Sequence, residues 1–415
     1  MQPSYGDLFR VFGRIGLLSF GGPAAQIALM HTELVDRHKW LKENQFLGAL
    51  SFCMLLPGPE AMQLATYAGW RLRGTLGGLI AGGLFVLPGA MVILLLAMGY
   101  AAYGQVPVIQ ALFMGIKAAV VIIVLQALLS LARRALKGWD SWALAGLGFV
   151  AMFFLSVPFP AIIATAALWG FVMRHGDTEE APEKSATKHY KSTIKTVLIW
   201  LAIWGLPIFL AWASGNQFLT SVAVFFSKLA IVTFGGAYAV LAYMTQSVVE
   251  THGWLSTAQM IDALGLAETT PGPLILVTQF VGHLAGHQEG GVMLALTSGL
   301  LTLWVTFVPC FLWIFAGAPY VETLLARPRL KGALSAISAA VVGVILNLSV
   351  WFALHVLFTQ IVPGSLGPLP VLSSFNSLAA SFVILAAILL LGFRRSMITT
   401  LVIMAVCAGS LHLVF

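Results

Sequence analysis

The sequence predicts an all-α polytopic membrane protein made of two homologous halves in inverted topology, on three observations. First, hydrophobic residues make up 59% of the 415-residue chain and charged residues only 9%, where a soluble domain carries roughly 25% charged residues. A chain this apolar cannot cover itself with polar surface, so lipid must solvate most of it. Second, the apolar residues fall in long runs joined by short basic loops. Third, the chain is written twice. SFGG at Ser19–Gly22 returns as TFGG at Thr233–Gly236, and Pro57-Gly58-Pro59 returns as Pro271-Gly272-Pro273, both at an offset of 214 residues. Met30, His38, Trp40, Leu41 and Gln45 recur at Met244, His252, Trp254, Leu255 and Gln259 in the same register. Further on the offset becomes 221, pairing Pro88 with Pro309 and KAAVV at Lys117 with SAAVV at Ser338.

Taken in chain order, the first half covers residues 1–174 and opens with two interrupted apolar segments. Residues 7–35 break at Gly21-Gly22-Pro23, and 44–70 break at Pro57-Gly58-Pro59. Each fragment is far short of the roughly 20 residues a span needs. Four uninterrupted runs follow at 75–103, 107–132, 141–157 and 158–174. A polar linker, 175–195, and one connecting span, 196–214, lead to the second half, 215–415. That half repeats the breaks at Gly235-Gly236 and Pro271-Gly272-Pro273, then the runs 289–318, 331–359, 372–391 and 396–413.

Charge placement orients these elements. If the broken segments are re-entrant hairpins, Arg10, Arg14, Arg37, Lys39, Lys42, Arg71 and Arg73 share a face with Arg133, Arg134, Lys137 and the linker, as the positive-inside rule requires. A full crossing by 7–35 would instead put the Arg37–Lys42 cluster outside, so hairpins are the preferred reading. The connecting span then inverts the second half, whose hairpin ends near His252 and Gln288 carry no Lys or Arg. The expected orientation has the N-terminus cytoplasmic and the C-terminus periplasmic.

The net charge of +7 sits in loops, not in a basic stripe interleaved with aromatics, so no nucleic-acid partner is expected. Cys53, Cys310 and Cys407 are far apart inside apolar runs and offer no disulfide framework. Asp7, Arg10 and Arg14 interrupt the N-terminus, which does not read as a cleavable signal.

Backbone that leaves the helix inside a bilayer is tolerated only where protein buries it or it lines a wet cavity. Broken helices paired across an inverted repeat are a recurring design of secondary transporters, with substrate held near the midplane. Glycine lets the backbone approach a ligand, and Pro23, Pro59 and Pro273 suit the first turn of a new half-helix. Each new N-terminus directs amide N–H groups and partial positive charge at the break, which favours a small anion. Close helix packing explains an isolated Gly-Gly equally well, but duplicated Gly-Gly and Pro-Gly-Pro pairs favour a site.

Charges inside apolar runs are functional candidates. Lys117, mid-run with Ser338 as its repeat partner, is either a counter-charge for an anion or a lysine paired with a carboxylate. Glu60 follows the first Pro-Gly-Pro, where it is either a dipole-stabilised cap or a proton carrier. Asp262 and Glu268, before the second Pro-Gly-Pro, are the other proton-coupling candidates, with Arg14 and Lys228 as possible pairing partners. His283, His287 and Glu289 suggest a metal spacing, but no Glu directly follows the first His. They fall in a Gly-rich stretch read as a solvated outer loop, and a membrane metalloenzyme resting on them is the remote alternative. No metal and no cofactor is expected.

FGGPAAQIALMHTELVDRHKWL, followed by LLPGPEAMQLATYAGWRLRGTLGGLIAGGLFVLPG, resembles the chromate ion transporter family, and the second half's TFGGAYAVLAYM with DALGLAETTPGPLILVTQFVGHLAG is similar to its companion signature. The resemblance covers both halves and matches the long-chain, two-domain type. It implies a multi-pass bacterial inner-membrane protein that exports chromate, a tetrahedral dianion resembling sulfate, using the proton-motive force and giving chromate resistance. The family motif falls on Phe20, Gly21, Gly22, Pro23, Trp40, Pro57, Gly58, Pro59, Glu60, Gln63, Tyr67, Gly69 and Trp70, then on Phe234, Gly235, Gly236, Trp254, Glu268, Pro271, Gly272 and Pro273. At the 214 offset the second half has Ala237 for Pro23, Leu274 for Glu60 and Val277 for Gln63, which implies an asymmetric site. The expected substrate-binding set is Gly21, Gly22, Pro23, Pro57, Gly58, Pro59, Gln63, Tyr67, Lys117, Gly235, Gly236, Pro271, Gly272 and Pro273. Sulfate is the expected competitor, a transporter of sulfate or another oxyanion is the alternative reading, and a homodimer is left open.

Overall fold

The computed structural model describes residues 3–173, 190–234, 236–325, 327–364 and 367–414. Gly235 and residues 175–189 of the expected linker lie outside them. The described chain is almost wholly helical. In the first half α1 (Tyr5–Leu18) stops short of the Gly-Gly-Pro break, and α2 (Gly22–His31) continues beyond it into a π-helical turn, Thr32–Arg37. α3 (Glu43–Cys53) ends before the Pro-Gly-Pro break and α4 (Glu60–Tyr103) begins just after it. Then come α5 (Pro107–Ala135), α6 (Trp139–Phe153) and α7 (Phe159–Met173). The connecting helix α8 (Tyr190–Ala213) begins inside the expected linker.

The second half repeats this order. α9 (Gln217–Val232) and α10 (Ala237–Gln246) flank its Gly-Gly break, and a π-helical turn, Ser247–Thr251, again follows. α11 (Thr257–Glu268) and α12 (Val277–Gly317) flank its Pro-Gly-Pro break. The short α13 (Val321–Leu325), α14 (Pro328–Leu357), α15 (Ser377–Ala387) and α16 (Met397–Val414) complete it. One element has no counterpart in the sequence reading: an antiparallel pair, β1 (Ile361–Gly364) and β2 (Gly367–Pro370), lies between α14 and α15. Its prolines and glycines mask the alternation by which a strand is recognised.

α4 and α12 are each two limbs joined by a reversal. Arg73 has φ −142° and ψ 27°, and Gly74 has φ 66° and ψ −159°. Gly290 and Gly291 repeat this geometry with φ −157°, ψ 24° and φ 75°, ψ −163°. A straight helix would hold Thr66 and Gly82 about 24 Å apart at 1.5 Å per residue, yet Gly82 abuts the Thr66 hydroxyl. The limbs therefore run antiparallel, in contact through glycine: Gly69 on Gly77, and Gly282 and Gly286 on Thr302 and Ser298.

These pairs correct the repeat register. Gly74 corresponds to Gly291, and the Thr66–Gly82 contact corresponds to His283–Gly299, an offset of 217. The three extra residues are the 3₁₀ turn Leu274–Leu276, inserted after the second Pro-Gly-Pro. Val277 therefore stands opposite Glu60 and Phe280 opposite Gln63, in place of Leu274 and Val277.

The chain forms two compact units, each drawing on both halves. One comprises Met1–Ala97, Phe171–Ala237 and Thr270–Leu334; the other comprises Met98–Gly170, Tyr238–Thr269 and Ser335–Phe415. In the first unit α8 packs on α9 and α12, tied by reciprocal indole bonds: Trp204 Nε1 donates to the Val305 carbonyl at 3.2 Å and Trp304 Nε1 to that of Ile203 at 3.0 Å. In the second unit α5 is central, with α11, α15 and α16 against it. There Gly115 meets the Met404 backbone and Gly343 meets that of Ala145, the small-residue packing expected within a bilayer. Among the described residues five helical stretches are long and apolar enough to cross a membrane: Glu60–Tyr103, Pro107–Ala135, Ser192–Ala213, Leu274–Tyr320 and Pro328–Leu357. Their outward residues include Met91 and Leu95, about two-thirds exposed, a surface suited to lipid.

Candidate functional site

The four breaks meet inside the first unit. Each Ser/Thr ahead of a Gly-Gly pair is buried and turns its hydroxyl back on its own helix: Ser19 Oγ donates to the Ile15 carbonyl and Thr233 Oγ1 to that of Leu229, both at 2.6 Å. Their own carbonyls are thereby left to face the other half. The Gly58 N–H donates to the Thr233 carbonyl at 2.8 Å, and the Gly272 N–H donates to the Ser19 carbonyl at 2.8 Å. Ser19 and Thr233 are repeat partners, as are Gly58 and Gly272. The contact is thus isologous, i to j and j to i, and relates the breaks by a local two-fold.

Both middle glycines need positive φ, +123° at Gly58 and +86° at Gly272, a region that costs other L-residues about 1–2 kcal/mol. Gly21 (+86°), Gly22 (+80°) and Gly236 (+104°) share that property, and Pro23 lies in the first turn of α2. The expected Gly235 lies outside the described residues. The Gly58 and Gly272 amides are committed to the exchange, and helix geometry leaves the first-turn amides of Gly22 and Ala24 on α2, and of Ala61 and Met62 on α4, without a partner inside their own helices.

The surroundings of the two Pro-Gly-Pro breaks differ. Gln63 is fully buried; its Nε2 donates to the Pro57 carbonyl at 2.7 Å. Its Oε1 has no hydrogen-bond partner among the described residues. A Cβ added to Gly58 would lie 2.8 Å from Gln63 Nε2 and 2.9 Å from Cys310 Sγ. A Cβ added to Gly272 would instead meet Leu276 Cδ1 at 3.1 Å and lie 3.7 Å from Gly89 Cα. A second amide, Gln26, crosses over: its Nε2 donates to the Gly272 carbonyl at 2.7 Å. Its repeat partner is the apolar Val240. Glu60 is half-buried at the start of α4, and Tyr67 is buried with its ring 6.0 Å from Phe52 and 5.8 Å from Trp70. Pro271 turns its carbonyl onto Gly89, and Pro273 leads into the 3₁₀ turn rather than directly into α12.

The second unit holds paired charge. Lys117 Nζ lies 3.1 Å from Asp262 Oδ1, and Tyr100 donates to Asp262 Oδ2 at 2.8 Å. Of the two readings of Lys117, carboxylate pairing is the one observed. Glu268, buried on the same helix α11, accepts from the Tyr238 hydroxyl at 2.9 Å. Arg14 has a partner within its own unit. It lies 3.9 Å from Glu33, a buried carboxylate also bound by Arg37 at 2.7 Å and approached by His38 at 3.7 Å. Sequence reasoning missed Gln26, Glu33, Tyr100 and Tyr238. Only Glu33 left a signal, an acid in the basic 31–39 stretch.

The HLAGHQE stretch is not a loop. Residues 283–289 continue α12, and His283 is 2% exposed. Glycine at 282 and 286 serves limb-to-limb contact there, not flexibility.

The chromate transporter family profile matches residues 6–171 and again 220–410, one copy in each half. The chain belongs to the chromate transporter family. A chromate transport protein of Pseudomonas aeruginosa is 31% identical over 82% of this chain and 79% of its own length. A probable chromate transport protein of Synechococcus elongatus is 29% identical over 83% and 84%. An uncharacterized transporter of Bacillus subtilis, YwrA, is 31% identical over 39% of this chain but 93% of its own length, so a single half corresponds to a whole relative. No solved structure matches. As a member of the chromate transporter family with five long apolar helices, the chain is a multi-pass membrane protein.

Proposed function

We propose that this protein is a secondary transporter that exports chromate across the bacterial inner membrane, driven by the proton-motive force. Its N-terminus is cytoplasmic, its C-terminus is periplasmic, and its activity gives chromate resistance. The observation that carries the proposal is the reciprocal hydrogen bonding of the four breaks. It gathers broken helix ends from both halves at one place, the arrangement in which secondary transporters hold substrate. The names of the relatives supply chromate as the substrate.

In this reading the anion sits at the first Pro-Gly-Pro break, against the first-turn amides of α2 and α4, with Gln63 beside it. Tyr67 and the remaining Gly and Pro positions shape the site. Sulfate, nearly matched in size and charge, competes. Lys117 acts through Asp262 rather than as an open counter-charge. A buried carboxylate held by a lysine and a tyrosine is suited to exchange a proton as its partners move, and Glu60 and Glu268 are the other carriers considered.

The test is uptake of labelled chromate into inverted membrane vesicles energised by NADH, with and without excess sulfate. NADH-dependent accumulation that sulfate inhibits is expected. Movement of labelled sulfate without chromate would replace the substrate, and movement of neither would end the transporter reading.

A further inference from the structure

The limb of α12 between the second break and the reversal at Gly290–Gly291 carries Gln279, His283 and His287. A spacing of four places them on one helix face, one turn above another. Gln279 is 1% exposed and His283 2% exposed, His287 is half-buried, and Gln288 and Glu289 are exposed. The stripe therefore runs from the buried break to an open end, which the charge pattern places on the outer face.

Two atoms in it are unsatisfied. Among the described residues neither Gln279 Oε1 nor His283 Nδ1 has a hydrogen-bond partner. With its ring proton on Nε2, His283 presents Nδ1 as an open lone pair. Two proton acceptors one turn apart, both desolvated, are costly unless a donor comes between them. A water between them, donating one hydrogen to each, would satisfy both at once.

The corresponding limb of α4 lacks this. Met62, Thr66 and Trp70 occupy the equivalent positions at the 217 offset. The Thr66 hydroxyl is already satisfied by the Met62 carbonyl at 2.9 Å, with Met62 Sδ at 3.8 Å. The same backbone thus carries a closed stripe in one half and an open one in the other.

We propose that Gln279, His283 and His287 form the path by which protons enter from the outer face and reach the breaks, with His283 the obligatory relay. The step is a proton transfer only: Nδ1 takes a proton from water or His287 on the outer side, its N–H bond forming as the donor's bond breaks, and releases it on the inner side to a water that Gln279 Oε1 orients by accepting a hydrogen bond, the amide itself staying unprotonated. The proposal rests on the proton-driven reading given above, and it names a residue outside the substrate site.

The test uses the purified full chain in proteoliposomes, with a trapped pH-sensitive dye for proton movement and labelled chromate for transport. His283→Thr copies the residue of the twin limb and is the variant expected to fold; Gln279→Met is the second. His283→Thr should lose at least tenfold of chromate-linked proton flux and of pH-gradient-driven accumulation, while chromate–chromate exchange stays within about twofold. Gln279→Met should lose about threefold to tenfold of the proton flux, exchange again being kept. Proton flux within twofold of wild type in folded His283→Thr overturns the path. So does equal loss of exchange and proton flux in both variants, which would make the stripe structural. If the wild-type chain moves chromate without protons, the path and the proton coupling fail together while chromate transport stands. If it moves no chromate, the transporter reading itself fails.

Discussion

The two Pro-Gly-Pro breaks share sequence, glycine geometry and a hydrogen bond to the opposite half, yet they face different chemistry. Gly58 looks onto a buried amide and a thiol, whereas Gly272 looks onto a leucine methyl and the backbone of Phe85 and Gly89. One short insertion accounts for much of this. The turn Leu274–Leu276 brings Leu276 to the place that Gln63 takes in the first half. Duplication supplied a symmetric scaffold, and the difference teaches that its surroundings then diverged: the Gly58 α-carbon faces an amide and a thiol, whereas the Gly272 α-carbon faces a leucine methyl and backbone, with Gln26 on the Gly272 carbonyl.

Alanine at each middle glycine breaks the comparison most strongly. Gly58→Ala should cost about 1–2 kcal/mol for its positive φ and about 1–3 kcal/mol more for crowding Gln63 and Cys310. Gly272→Ala should show the φ cost with a smaller crowding contribution, since its nearest neighbour is a movable methyl. Thermal unfolding of the two variants in detergent checks this, and equal destabilisation would mean that the surroundings do not matter. Next is Gln26→Leu, which strips the Gly272 carbonyl of its side-chain donor and should cost about 1–3 kcal/mol. The smallest structural disturbance comes from single cysteines at Lys39 and His252 in a cysteine-free background, which should label from opposite faces of the membrane with transport retained. Labelling from one face would remove the inversion on which the comparison rests.

Much of the fold was legible because glycine and proline mark breaks that no apolar run can hide. All four interruptions lie where those residues placed them, and the repeat is visible in motifs such as Trp40-Leu41 and Trp254-Leu255. What was not legible depended on contacts between distant positions. Nothing local in Lys117 or Asp262 announces their pairing across 145 positions of sequence. The 217 register was hidden because the inserted Leu-Ile-Leu is as apolar as the helix it precedes. His283 was misread because glycine at 282 and 286 looks like a loop in isolation, although it is what lets two limbs touch. Gln26 was passed over because a lone glutamine in a membrane segment carries no pattern, and only the opposite break's carbonyl gives it meaning.

The one-sided site is tested most directly by chromate accumulation in energised inverted vesicles carrying Gln63→Leu or Leu276→Gln at matched protein levels. The account predicts that Gln63→Leu lowers accumulation about tenfold to hundredfold, as the loss of one hydrogen bond to a charged ligand, from the Nε2 hydrogen that Pro57 does not take, implies, and that Leu276→Gln leaves it within about threefold. Accumulation unchanged in Gln63→Leu, or lost equally in both, would contradict it.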